Sequence, residues 1–282
     1  AQIGDITDPA AVQLAMQGVN AVIHLAALLH IVNPPPEMRE KYERINIGGT
    51  AIVVDAAIRA GVSRVVLFST IAVYGASTGS VLTEASPIRP DSFYAQTKVN
   101  AERIVLSAKR NDGMPLGTVL RLGAVYGAGI KGNYRRLVQS LARGRFVPVG
   151  DGANRRTLVY DKDVALAAVL ALKHSAAAGK IFNVSDGEFH TLNDIISRMC
   201  EALDRKPPHW SLPVGPVRFA AGLVEDMARL AGIKPPIMRA TIDKYTEDVA
   251  VDSQRIQREL GFVPQYDLSA GWQDAVLEMR QS

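Results

Sequence analysis

Cysteine is nearly absent: of 282 residues only Cys200 is one, which excludes an intramolecular disulfide and every multi-cysteine zinc or iron–sulfur site. A reducing, cytoplasmic setting fits that usage. Long hydrophobic runs are missing too. The most apolar stretch, Phe219–Leu230, is interrupted by Glu225, Asp226 and Arg229, so nothing approaches the ~18 uninterrupted apolar residues of a membrane span. No membrane partner is expected on that ground. Nor is there a block of one charge. The 32 basic residues are interspersed with 28 acidic ones for a net charge of +4, and no run is long enough to track nucleic-acid phosphates, so nucleic acid is excluded as a partner. We find no internal repeat, low-complexity tract or signal peptide.

What is present is an ordinary globular composition, 48% hydrophobic and 21% charged, in a chain long enough to bury roughly 75% of its unfolded surface without covalent staples. Short β-branched runs at 20–26, 64–69 and 117–126 alternate with helical patterns reaching Ala60 and covering Ser92–Arg110. That alternation predicts βα units around a parallel sheet, and runs apolar on both faces predict central strands covered by helices. The fold class is therefore α/β, a doubly wound parallel sheet. Beyond Gly127 the pattern loosens and prolines accumulate (Pro207, Pro208, Pro213, Pro216, Pro235, Pro236), which predicts a smaller α+β lobe. The expected division is 1–128 for the sheet domain and 129–282 mainly for the lobe, with segments near 157–185 returning to the first domain.

Three fragments carry chemistry: His24-Leu-Ala-Ala27 and Ser69-Thr-Ile-Ala-Val-Tyr-Gly75 at strand ends, and Tyr94-Ala-Gln-Thr-Lys98 on a helix. Tyr94 and Lys98, four apart, share one helix face. A free phenol is a weak base at neutral pH, and a neighbouring ammonium favours its ionised form. The Thr70 hydroxyl could hydrogen-bond the oxygen whose proton Tyr94 moves. Ligands in such sheets bind beyond the carboxyl ends of the strands, where these fragments fall.

With Gly4-Asp-Ile-Thr-Asp8, Asn46-Ile-Gly-Gly-Thr50, Arg121-Leu-Gly-Ala-Val-Tyr-Gly127, Gly150-Asp-Gly-Ala-Asn-Arg-Arg156, Asp163-Val-Ala165, Ile181-Phe-Asn-Val184 and Arg258-Glu-Leu-Gly-Phe-Val-Pro264, the chain resembles the extended short-chain dehydrogenase/reductases of the NAD-dependent epimerase/dehydratase group, those similar to UDP-glucose 4-epimerase. The resemblance runs nearly end to end. It implies Tyr94 as acid/base, Lys98 as its electrostatic partner and ribose ligand, and Thr70 as the third catalytic group. It assigns cofactor contacts to Asp5, Ile6, Leu25, Ala26, Ala27, Asn46, Ser69, Tyr94, Lys98 and Leu122, and substrate contacts to Thr70, Tyr94, Asn133 and Arg156. No metal is implied. The cofactor would be NAD, with NADP still open, and the substrate a nucleotide sugar whose C4 is transiently oxidised. The resemblance also implies a homodimer through a four-helix contact of Glu37–Ala60 with Ser92–Arg110.

Four departures matter. The family's N-terminal strand and Gly-x-x-Gly-x-x-Gly turn are not in this sequence, so about one βαβ unit is expected ahead of Ala1. A Gly-x-Gly-x-x-Gly does occur at Gly127–Gly132, but its place matches the entrance to the substrate lobe rather than a dinucleotide turn. Ala124 stands where many nucleotide-sugar members carry asparagine, which keeps open a reductase or dehydrogenase acting on a nucleotide-sugar ketone or another small hydroxy/keto compound. Ile71 and Ala72 replace the acids of common dehydratases. A non-catalytic dinucleotide-binding module is disfavoured because Thr70, Tyr94 and Lys98 are all kept. Of the remaining candidates, His24 is expected to be a packing residue behind the site, His190 a surface or capping neighbour, and Cys200 a core residue.

Overall fold

The computed structural model describes residues 1–29, 35–75, 77, 79–130, 132–233, 235 and 238–281; Lys131 of the glycine-rich motif and Pro236 lie outside them. The strands are β1 (Ala21–His24), β2 (Arg64–Thr70), β3 (Gly117–Leu122), β4 (Ala124–Tyr126), β5 (Arg155–Arg156), β6 (Leu158–Tyr160), β7 (Ile181–Val184) and β8 (His190–Thr191). The helices are α1 (Pro9–Ala15), α2 (Met38–Tyr42), α3 (Gly49–Arg59), α4 (Phe93–Ser107), α5 (Asn133–Ala142), α6 (Asp161–Lys173), α7 (Leu192–Ala202), α8 (Val214–Leu230), α9 (Arg239–Thr246), α10 (Gln254–Leu260) and α11 (Leu268–Gln281).

Four strands form a parallel sheet in the order β1-β2-β3-β7. Both faces are covered, and alternate residues of one strand serve opposite cores. Val65 and Leu67 of β2 face α1, α3 and α4, while Val66 faces α6 and α10. The predicted doubly wound arrangement is thus realised by the strand pleat itself. A separate core in the C-terminal half gathers α5, α7 and α11 around Trp272, which stacks on Tyr126 at 4.6 Å. Cys200 is buried there, as expected.

The run predicted as one strand from Gly117 to Tyr126 divides at Gly123. Its N–H bonds to the Val184 carbonyl of β7, whereas the Ala124 N–H bonds to Thr157, and β4 then pairs with β6. One extended segment thereby leads from the sheet into the lobe. The predicted Ser92–Arg110 helix is Phe93–Ser107, with the Ser92 hydroxyl capping the Ala95 N–H at 3.2 Å.

Gly117 lies where α4 crosses β3. A Cβ there would sit 2.0 Å from the Val105 carbonyl oxygen, so helix and strand meet at a distance only glycine permits. Gly117→Ala is expected to destabilise the protein by about 1–3 kcal/mol or more through overpacking, read as a lower urea midpoint with unchanged slope.

Candidate active site

At the carboxyl ends of β2 and β3 a cleft of about 290 Å³ is lined by Leu25, Ala27, Leu29, Phe68, Ser69, Thr70, Tyr94, Lys98, Leu122, Gly123 and Val125. No carboxylate is among these described lining residues. Each polar group arrives by a local rule. Thr70 ends β2 and its Oγ1 accepts the Ala72 N–H at 3.2 Å, starting the 3-10 turn Ile71–Tyr74. That turn closes at Gly75, whose φ of +73° and contact with the Arg89 carbonyl exclude a side chain. Tyr94 and Lys98 sit on the first turns of α4, on the face turned to the strand ends.

One turn further along α4, Glu102 is buried. Arg121 of β3 grips it through Nη2 at 2.7 Å and Nε at 3.0 Å, with both side chains almost wholly shielded from water. Ser69 donates to the same carboxylate at 2.5 Å. The network continues from Arg121 Nη1 to the Tyr74 hydroxyl at 2.9 Å, and from that hydroxyl to Asn183 of β7 at 2.7 Å. Ser69 thus lines the cleft while its hydroxyl serves Glu102.

Burial dominates the ionisation of the pair. It pushes the Tyr94 phenol up to about 12, with Tyr42 adding to the shift. It pushes Lys98 down to about 8, against the opposing pull of Glu102. The ammonium was expected to lower the phenol; in this apolar cleft, exclusion of water favours the neutral forms of both.

The wall above β1 is fastened by Asn46, which lies in a π-helical turn, Glu43–Gly48. Its amide accepts the Leu28 N–H at 2.7 Å, donates to the Leu28 carbonyl at 3.1 Å and donates to Thr97 of α4 at 3.0 Å. Asn46 therefore holds the cleft wall and is itself buried. Behind it, Thr50 donates to the Asn46 carbonyl at 2.7 Å and pairs with His24 Nε2 at 3.0 Å. That hydroxyl has one proton, so His24 Nε2 is the donor in this pair. Burial, with the Lys98 charge nearby, lowers the His24 pKa from 6.5 to about 4.

The cleft brings together Leu25, Ala27, Ser69, Thr70, Tyr94, Lys98 and Leu122. The other expected contacts stand apart from its lining. Ala26 is exposed. Asp5 accepts the Thr7 N–H and hydroxyl at 2.8 and 2.9 Å, and Ile6 packs against Gly49. Asn133 is exposed at the start of α5, and Arg156 Nη2 donates to the carbonyls of Lys244 and Tyr245 at 2.7 and 2.8 Å. His190, expected to be a surface or capping neighbour, is buried rather than at the surface, with Nε2 2.6 Å from Asp186, and directly precedes Thr191, the N-cap of α7. Sequence reasoning missed Glu102. Its one available signal was the i, i+4, i+8 spacing from Tyr94 through Lys98.

The profile of the NAD dependent epimerase/dehydratase family matches residues 2–185. The chain is 27% identical over 285 residues to a UDP-glucose 4-epimerase of Vibrio cholerae, covering 100% of this chain and 83% of that protein. It is 31% identical over 271 residues to a dTDP-glucose 4,6-dehydratase of Streptomyces griseus, covering 95% and 74%. It spans 64% of the length of a Sinorhizobium fredii relative that is 29% identical. The solved structure of MoeE5 in complex with UDP-glucuronic acid and NAD superposes with a TM-score of 0.74 at 26% identity, covering 99% of this chain and 84% of that one.

Two outcomes follow from the buried groups. Glu102→Gln leaves the Arg121 charge uncompensated and is expected to cost about 3–5 kcal/mol in denaturant unfolding, part of it recovered when Arg121→Met is added. The second concerns His24: between pH 6.5 and pH 4 the unfolded chain binds a proton that the folded ring refuses. Its contribution to stability is therefore complete above 6.5 and is lost as pH falls through 4, by about 3 kcal/mol. Comparing unfolding of the parent and His24→Gln from pH 7 to 4 should show a shallower decline in the variant.

Proposed function

The chain belongs to the NAD dependent epimerase/dehydratase family, and from that premise we propose that it is a nucleotide-sugar 4-epimerase acting on a UDP-hexose-like substrate. One observation carries the reading. A phenol, an ammonium and a threonine hydroxyl converge on an apolar cleft beyond the sheet's strand ends, with no carboxylate among its described lining residues. The residues present fit the nicotinamide-ribose end of a dinucleotide: aliphatic and aromatic walls suit a flat ring, and Lys98 and Tyr94 suit ribose hydroxyls. NAD, when bound, supplies the hydride acceptor and donor.

The chain's own residues manage the proton. Tyr94 takes it from the sugar 4-hydroxyl during oxidation at C4 and returns it after the 4-keto sugar has presented its other face. The phenolate exists before Tyr94 takes the proton and again after it returns it, and in those states the Lys98 ammonium stabilises it against burial, which favours the neutral phenol. Thr70 Oγ1 already accepts the Ala72 N–H, so its own proton is free to bond the sugar oxygen. Leu25, Phe68 and Leu122 keep water from the reacting carbon. Dehydration needs a further acid–base pair beside Thr70, where this chain has Ile71, which is buried, and Ala72. For the diphosphate, Arg156 commits Nη2 to α9 and leaves Nε and Nη1 for phosphate oxygens; Asn133 would serve beside it. We also propose a homodimer through the segments Glu37–Ala60 and Ser92–Arg110, which carry α2, α3 and α4, as the family resemblance implies.

The apolar walls at Leu29 and Val125 favour one second reading, a reductase or dehydrogenase of a less polar hydroxy/keto compound. The two are separated by denaturing the purified protein and identifying released dinucleotide by mass spectrometry, alongside turnover of UDP-hexoses without added cofactor. Stoichiometric NAD with turnover is the expected result; an empty protein that binds NADPH or NADH reversibly supports the second reading. Tyr94→Phe is expected to reduce turnover by about a hundredfold to ten-thousandfold, and full activity in that variant would overturn both.

A further inference from the structure

Helix α8 presents its bulky apolar residues to water and its small residues, with Glu225, to the protein. Phe219, Leu223, Met227 and Leu230 are 70, 49, 69 and 90% exposed. Their i, i+4, i+8, i+11 spacing aligns them in one stripe about 17 Å long. The buried face offers Ala221, Gly222, Ala228 and the carboxylate of Glu225. Attachment to the lobe is polar: the Arg239 N–H donates to Glu225 at 3.0 Å, Arg239 pairs with Asp226 at 2.6 Å, and Arg218 pairs with Asp243 at 2.6 Å. Gly222 lies against the Arg239 guanidinium, so a side chain there would displace that group. Scattered exposed apolar residues are ordinary, but a continuous stripe marks a surface that something covers.

Charge indicates what covers it. Residues 205–239 contain six basic and two acidic residues; Arg218, Arg229 and Arg239 are paired with Asp243, Glu225 and Asp226, which leaves a cationic excess that includes Arg205 and Lys206. Arg205 and Lys206 are exposed just ahead of the helix, followed by Trp210, which is also exposed. A second copy docked on the same face would oppose two such cationic segments, which disfavours self-association. We propose that this face of α8, with Trp210, docks on an anionic phospholipid surface. The helix lies parallel to the bilayer, with its stripe at the headgroup boundary and Arg205 and Lys206 toward the lipid charges. No described helix is long and apolar enough to cross a membrane. The sequence expectation of no membrane partner rested on span length, which says nothing about a helix lying on the surface.

The test is sedimentation of the whole chain with vesicles of phosphatidylcholine alone and with about 30% phosphatidylglycerol, at low and high salt. Of the two tryptophans, Trp272 is buried, so a blue shift on binding reports Trp210. Co-sedimentation with the anionic vesicles only, relieved by salt and accompanied by that shift, is expected. Leu223→Ser with Met227→Ser should weaken binding about tenfold or more, with an unchanged circular dichroism spectrum because both side chains face solvent. Absence of binding to the anionic vesicles, or equal binding by the double variant, overturns the proposal. So does a solution dimer that the double variant dissociates, which would assign the stripe to a second copy.

Discussion

The buried pair of Glu102 and Arg121 fixes how α4 sits on the sheet, and the site depends on that. Glu102 follows Lys98 by four residues and Tyr94 by eight, so the three share one stripe of the helix. Arg121 projects from β3 and holds the carboxylate with two nitrogens, while Ser69 of β2 adds a third bond. A rotation of α4 about its axis would break all of these at once and leave a charge stranded in the core. Such a pair adds little net stability compared with an apolar replacement, but it discriminates strongly between one orientation and its neighbours. The orientation it selects is the one that delivers phenol and ammonium to the cleft.

The opposite wall is tied to the same helix. Asn46 bonds both backbone groups of Leu28 and also Thr97, so the loop after β1 and the middle of α4 share one amide. The π-helical turn that carries Asn46 departs from regular α geometry, a departure frequent near functional sites. His24 and Thr50 extend the chain of bonds beneath it. Gly117 sets the closeness of α4 to β3 from the other end. The cleft is thus bounded by side chains whose supports are buried and hydrogen-bonded, which is what keeps a proton-transfer geometry reproducible.

Much of this was legible in the sequence because it is written locally. The two-sided apolar run at Val65–Ser69 marked β2, Ser92 marked the start of α4, and four-residue spacing put Tyr94 and Lys98 together; the similar run from Ala21, expected to be a central strand, is β1 at the sheet edge. What was not legible is written between distant segments. The Glu102–Arg121 pair joins residues nineteen apart: helical spacing puts Glu102 on the stripe of Tyr94 and Lys98, but nothing local to either residue names the other as its partner. The partner exchange at Gly123 depends on where β6 and β7 lie. The π-helical turn follows from Asn46 reaching Leu28, which no helix propensity encodes. His190 read as a surface residue because its partner Asp186 precedes a turn that folds it inward. The direction of the Tyr94 shift depends on how much water the surrounding walls exclude, a property of packing rather than spacing.

Helix α8 shows the same limit from the other direction. Read along the chain, Glu225, Asp226 and Arg229 interrupt an apolar stretch and disqualify it as a span. Read around the helix, Glu225 turns inward, Arg229 pairs with Glu225 and Asp226 with Arg239 at the flank, and Phe219, Leu223, Met227 and Leu230 form an apolar arc. A hydropathy average merges these faces, although a surface senses only one of them. The inward face is attached through ion pairs to α9 and the small buried residues Ala221, Gly222 and Ala228, so the bulky apolar residues of the stripe take no part in holding the helix. The stripe is therefore not consumed by folding, and its exposed area remains as a driving force for contact with an apolar phase.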